Sequence, residues 1–296
     1  MKYGDAAAFR QALEQRLRTR AAGDGARLAR DRKRVSFERF LARLNEVAPG
    51  DWLLKGGFAL DLRLADRARA TRDVDLDWQA DEEELAETLI EAAGISGDDF
   101  FTFAIERTGM APERLGGSHR FRVTASLAGR PFETFLLDVA LRSSLVDERD
   151  TLTTTDLLSF AEIEPVEVPA VPLERHIAEK LHAYTRRYGD DQPSSRVKDL
   201  IDLVLMGELA SFEYDRLRDA IVSTFRERDT HELPTSLPAA SADWAQPYRV
   251  LAAEVGLEPD LSSGHRAAAT FLDPVLADTT DLHWWDEQAM RWHADK

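Results

Sequence analysis

The sequence predicts an α/β N-terminal half followed by a mostly helical C-terminal half. Three observations carry this. Val74-Asp75-Leu76-Asp77-Trp78 alternates with period two, which is a strand with one apolar and one acidic face. Strand-like runs follow at Phe100 to Arg107, His119 to Leu127 and Phe132 to Arg142. Beyond a Thr-rich TLTTTD, read as a connector, apolar residues recur mainly at helical spacing. The expected organisation is 1–150 and 151–296, with the boundary near that connector.

Taken in order, residues from about Ala6 to Val47 read as helical, loosened near Gly23 and Gly25. Trp52-Leu53-Leu54 is a short apolar strand. Gly56-Gly57 turns the chain into a short helix. DEEELAETLIEAAG is a helix with acids in its first turn and Gly94 as its stop. Ala128-Gly129-Arg130-Pro131 is a hairpin turn. A short strand is expected around Val166 to Val168. Helices are expected over Leu173 to Tyr188, Arg196 to Met206, Tyr214 to Arg226, Trp244 to Val255, and around Trp284 to His293. Ser194 or Ser195 is the expected cap of the second of these.

The chain has 296 residues, 44% hydrophobic and 31% charged, which is ordinary for a globular protein. It contains no cysteine, which excludes disulfides, thiolate nucleophiles and cysteine-based zinc sites. No apolar run approaches the ~20 residues of a membrane span, and MKYGDAAAFRQALEQ carries no signal-like stretch, so a cytoplasmic protein with no membrane partner is expected. The formal net charge of -16 argues against broad binding to polyanions. Arg16, Arg18, Arg20, Arg27, Arg30, Arg32, Lys33 and Arg34 nevertheless form an early basic cluster, either a solvated helix face or a local contact for RNA.

The chemistry concentrates between Lys55 and Trp78. Asp73, Asp75 and Asp77 share one face of a strand, and like charges there need an offset. Glycines at 56 and 57 let backbone approach a phosphate, and a helix N-terminus favours anions. Asp73 and Asp75 are placed to ligate one metal or a metal pair, and hard carboxylate oxygens suit Mg²⁺ bridging to phosphates. Asp77 reads as a solvated neighbour. Asp138, alone among apolar residues in FLLDVALR, is a third carboxylate for metal binding or for taking a proton from an attacking hydroxyl. Lys180 and Arg187 flank an apolar stripe of Leu173, Ile177, Leu181, Tyr184 and Tyr188, where the lysine reaches a triphosphate or makes a surface ion pair. Arg196, Asp199 and Asp202 line one side of the next helix, as solvent surface or as the wall of a cleft.

These residues resemble a known family. Leu54-Lys55-Gly56-Gly57-Phe58-Ala59-Leu60 with Thr71-Arg72-Asp73-Val74-Asp75-Leu76, then Glu179-Lys180-Leu181-His182-Ala183, then Arg196-Val197-Lys198-Asp199-Leu200-Ile201-Asp202-Leu203, resemble the motifs of the AbiEii/AbiGii-type nucleotidyltransferase toxins. The resemblance implies a polymerase-β-like nucleotidyltransferase core with a mixed sheet and an appended helical domain. It implies a toxin of a toxin–antitoxin system, in a family linked to phage defence, that transfers NMP from an NTP to an RNA acceptor, the tRNA 3′ end, with a cognate antitoxin encoded nearby. By position, Asp73 and Asp75 would hold Mg²⁺ and Lys180 would contact the nucleotide phosphates. Asp199 would complete the site, with Arg196 in support. Gly56, Gly57 and Thr71 would line the nucleotide. Thr71 is also a candidate control point, because a phosphate there would repel an incoming triphosphate.

Phe58 departs from the family, where Ser or Thr often follows the glycine pair. Two other readings are a transferase acting on a protein or small-molecule hydroxyl, and a catalytically decayed NTP-binding module. Phe58 is the sequence feature that favours decay.

Overall fold

Asp5 and Asp24 each turn a carboxylate back onto the first free amides of a helix, and so start α1 (Ala6–Ala21) and α2 (Gly25–Val47). Between them Ala22 and Gly23 take positive φ and break the run. The computed structural model describes residues 2–79, 81–110, 118–142, 148–186, 196–279 and 281–294. The chain divides into two units, Met1–Arg63 with Ala70–Val171, and Leu64–Arg69 with Pro172–Lys296.

In the first unit, β1 (Trp52–Lys55) runs directly into α3 (Gly56–Leu64). The chain continues through β2 (Asp73–Trp78), α4 (Glu82–Gly94), β3 (Phe101–Met110), β4 (His119–Leu127), β5 (Arg130–Leu141), β6 (Asp150–Thr153) and β7 (Glu167–Ala170). The seven strands form one sheet in the order β3-β4-β5-β2-β1-β7-β6. The sheet is mixed, with β2 parallel to β5 and β1 parallel to β7, and the other pairs antiparallel. β4 and β5 close through Ala128 and Gly129, both at positive φ, as a tight hairpin requires. TLTTTD is not simply a connector, because Thr151–Thr153 extend the sheet edge as part of β6 against β7. Thr is a good strand former, and the partner that reveals this lies later in the chain.

One face of the sheet is covered. Phe37, Phe40 and Leu44 of α2 and Leu85 and Leu89 of α4 pack on Val74, Leu76 and Trp78 of β2 and on Leu137 and Val139 of β5. The pleat therefore sends Asp73, Asp75 and Asp77 to the opposite face. A second cluster packs Phe9, Leu13 and Leu17 of α1 on Phe101, Leu127 and Phe132.

The second unit holds α5 (Leu173–Thr185), α6 (Val197–Gly207), β8 (Phe212–Glu213), α7 (Tyr214–Arg228), α8 (Ala245–Glu254), α9 (Leu261–Leu276), β9 (Trp284–Asp286) and β10 (Arg291–His293). Two expectations are corrected here. Trp284 to His293 is not helical but a hairpin completed by β8. Its Trp285 is fully buried and donates its indole N–H to the Gly207 carbonyl at 2.7 Å. A helix absent from the sequence reading, α9, spans a stretch interrupted by Gly264 and Pro274. Gly264 is required there, since a Cβ would stand 1.8 Å from the Tyr248 hydroxyl oxygen. Tyr188, Arg187, Ser194 and Ser195 lie outside the described residues. Among the described residues, no helix is long and apolar enough to cross a membrane.

The basic cluster is largely neutralised by acids from elsewhere in its unit. Arg34 and Arg30 both bond Asp61 of α3, at 2.5 and 2.9 Å. Arg20 meets Asp31 at 3.3 Å, Lys33 meets Glu133 at 3.0 Å, and Arg32 pairs with Glu14. Arg16 lies over the Phe160 ring at 4.4 Å. Arg30, Lys33 and Arg34 thereby tie α2 to α3 and the sheet, and Arg32 ties α2 to α1, while Arg18 and Arg20 stay exposed.

Glu38 of α2 is fully buried and accepts the Thr155 N–H at 2.9 Å. Burial pushes its carboxyl up from 4.5 to about 7. The native state therefore keeps this proton after the unfolded chain has lost it. The contribution of this carboxyl to stability falls as pH rises from 4.5 to about 7 and is flat above. Glu38→Gln should remove that decline, and by about 1–3 kcal/mol be the more stable protein at pH 8. Urea unfolding across this pH range checks it.

Candidate active site

The acidic face of β2 is built by register. Across four strands Lys55, Asp75, Asp138 and Arg120 are successive Cα partners, with charges in the order plus, minus, minus, plus. Facing partners in adjacent strands put their side chains on one side of the sheet. Asp73 lies two residues before Asp75 and shares its face.

The three aspartates of β2 then separate by partner. Asp77, read as solvated, is buried and pairs with Lys55 and, at 2.9 Å, with Arg142. It is structurally neutralised. Asp73 and Asp75 remain partly accessible. Thr71, 8% exposed, donates its hydroxyl to Asp73 Oδ1 at 3.2 Å, so that hydroxyl is already engaged. Gly56 adopts φ +65 at the corner where β1 becomes α3, and a Cβ there would stand 2.1 Å from Asp75 Oδ2. The residue must be glycine on two counts, conformation and the carboxylate lying against it. Gly57 follows in the first turn of α3, whose leading amides have no partner inside the helix.

Phe58 is fully buried and packs edge-on against Phe37 at 4.9 Å. Its side chain belongs to the core, on the other side of the sheet from the aspartates. It is therefore a packing residue.

Asp138 is held by a residue the sequence reading passed over. Arg120 donates Nε to Oδ1 and a terminal nitrogen to Oδ2, both at 2.7 Å. That hydrogen bonding raises the guanidinium pKa further, and the fields of Asp73 and Asp75 add to it. The signal for Arg120 was its place in HRFRVTASL, alternating with the buried Phe121 and Val123.

The second unit gathers Lys180, Asp199 and Arg196 with two further residues, Asp202 and Arg69. Lys180 Nζ stands 3.2 Å from Asp199 and 2.8 Å from Asp202. Arg69 forks onto Asp202 at 2.9 and 2.8 Å, and Arg196 meets Asp199 at 2.7 Å. The polar row of α6 is therefore not a solvated surface, since Asp199 and Asp202 are 1% and 0% exposed. Burial works against the Lys180 charge, but Asp202 and Asp199 outweigh it and its pKa rises. Burial likewise opposes the Asp202 charge, yet Lys180 and Arg69 hold that carboxyl far below the ordinary range. Each of these two groups is thereby held in its charged form by its partners.

The donor set of the first unit fits a hard divalent cation. Asp73 and Asp75 offer carboxylate oxygens on one accessible face, and Mg²⁺ commonly takes only one or two protein carboxylates, filling its shell with water and phosphate oxygens. Among the described residues no group of three or more histidines and acids is placed to hold a metal ion by itself.

Gly56→Ala should shift Asp75 and weaken Mg²⁺ binding by about tenfold or more, at a stability cost of about 1–3 kcal/mol. Gly94→Ala, where a Cβ meets nothing within 4 Å, should change neither. Calorimetry and urea unfolding of the two variants check this.

Comparison with known proteins places these features. A family model described as the nucleotidyl transferase AbiEii toxin of type IV toxin–antitoxin systems matches residues 39–274. The nucleotidyltransferase toxin MenT4 of Mycobacterium tuberculosis H37Rv superposes with a TM-score of 0.62 at 16% identity, covering 94% of this chain and 92% of that one. JHP933 of Helicobacter pylori gives a TM-score of 0.48 at 16% identity, covering 83% of this chain and 92% of that one. No curated protein matches. The MenT4 likeness establishes a polymerase-β-like fold. The chain belongs to the AbiEii family of nucleotidyltransferase toxins of toxin–antitoxin systems.

Proposed function

We propose that this toxin transfers NMP from an NTP, with Mg²⁺, to an RNA 3′-hydroxyl at the tRNA acceptor end, and that this blocks translation. The observation that carries the reading is the set of three carboxylates, Asp73, Asp75 and Asp138, presented on one sheet face beside the Gly56 corner. Asp73 and Asp75 would hold Mg²⁺, with Asp138 as the third candidate ligand. When bound, the cation neutralises phosphate oxygens and makes the acceptor hydroxyl easier to deprotonate. Thr71 fixes the Asp73 carboxylate, and the Gly56 and Gly57 amides meet phosphate oxygens. By family resemblance Lys180 would contact the nucleotide phosphates with Arg196 in support; within its own unit Lys180 is held charged by Asp202 and Asp199. The acceptor oxygen bonds to the α-phosphorus, the α–β bridge bond breaks, pyrophosphate leaves, and the hydroxyl proton passes to water. A cognate antitoxin is the expected protein partner, and the cytoplasm is the expected site of action.

The acceptor rests on the family resemblance. The ion-paired arginines and the net charge of -16 favour a protein or small-molecule hydroxyl as the second reading. Incubation with each α-labelled NTP, Mg²⁺ and total RNA should put label into tRNA-sized RNA, whereas γ-labelled NTP should leave it unlabelled. Asp73→Asn should lower incorporation by about a thousandfold. Label in protein would move the acceptor to the second reading, and label nowhere would contradict transfer.

A further inference from the structure

The fork from Arg120 closes on the one carboxylate of β5 that faces Asp75 across the sheet. Asp138 sits in a paired central strand whose opposite face is anchored by Leu137 and Val139 in the core. Arg120 is reached from the neighbouring strand, 22% exposed on its side chain, while Asp138 is 5% exposed. Both Asp138 oxygens are taken, and the same guanidinium feels Asp73 and Asp75. A guanidinium forked onto Asp138, the cross-strand partner of Asp75, puts positive charge on the same sheet face a divalent cation would neutralise.

We propose that Arg120 is a built-in counter-cation of the carboxylate face, which competes with the divalent cation for Asp138 and so keeps the nucleotide-free protein from loading metal. This rests on the proposed function, in which Asp73 and Asp75 hold the cation. Arg120 acts through Asp138, so it is a positioning residue. Arrival of a metal–triphosphate complex supplies both a stronger cation for Asp138 and an anion for the released guanidinium. The protein therefore loads metal with nucleotide and not before it. The device also offsets the like charges of the face while the site waits.

The test is Mn²⁺ affinity of the nucleotide-free protein at pH 8, by electron paramagnetic resonance, with no turnover involved. Arg120→Ala should bind Mn²⁺ about tenfold more tightly than wild type, and Arg120→Lys, which keeps charge but loses the fork, should fall between them. Asp138→Asn should abolish the gain, so that the Arg120→Ala/Asp138→Asn double variant binds like Asp138→Asn alone. A purely structural arginine would give unchanged or weaker binding when removed, and that result overturns the proposal. Gain in Arg120→Ala that persists in the double variant also overturns it. Asp73→Asn separates the two layers. If it loses Mn²⁺ while Arg120→Ala gains none, only the counter-cation fails. If Asp73→Asn binds Mn²⁺ like wild type, the metal-site reading itself fails.

Discussion

Electrostatic repulsion on one strand face organises the first unit. A strand whose apolar side chains must all enter the core has no choice about where its other side chains go. Val74, Leu76 and Trp78 are buried against α2 and α4, so three carboxylates emerge together on the far side. Repulsion at that spacing would weaken the strand unless it were offset. The offset comes in two forms. Asp77 is neutralised permanently by Lys55 and Arg142. Asp138, one strand away, is neutralised by Arg120. Asp73 and Asp75 are left partly accessible, at the place where Gly56 admits a carboxylate that any side chain would exclude.

The second unit meets the same problem in a different setting. Lys180, Asp199, Asp202, Arg69 and Arg196 alternate in sign within a nearly dry cluster. Such a cluster is costly to assemble and strongly destabilised by loss of one member, so it fixes geometry more than it adds stability. Its consequence for chemistry is that Lys180 keeps its charge in a place where burial alone would remove it.

The amino-acid pattern made much of this legible, and its failures have a common cause. Alternation in VDLDW, the glycine corner at Gly56-Gly57 and the hairpin turn at Ala128-Gly129 act within a few residues, and the elements they imply are present. What could not be read depends on partners far along the chain. Thr151–Thr153 form an edge strand because β7 lies beside them. Trp284 to His293 pairs as strands because its indoles find a buried slot against Phe271 and Gly207. The arginines of α1 and α2 resemble an RNA contact until Asp61 and Glu133 are seen to meet them. Periodicity put Asp199 and Asp202 on one side of a helix but could not say that this side is buried. Arg120 left only a trace, an arginine alternating with core residues.

The central claim is that three look-alike aspartates on one strand divide into two kinds, and a paired comparison tests it most directly. Asp75→Asn and Asp77→Asn are measured for unfolding free energy and for nucleotidyl transfer per folded molecule. The account predicts opposite outcomes. Asp75→Asn keeps wild-type stability to within about 1 kcal/mol and loses transfer, while Asp77→Asn loses about 2 kcal/mol or more, by stranding Lys55 and Arg142, and retains substantial transfer. Equal losses of transfer with equal stability in the two variants would contradict it.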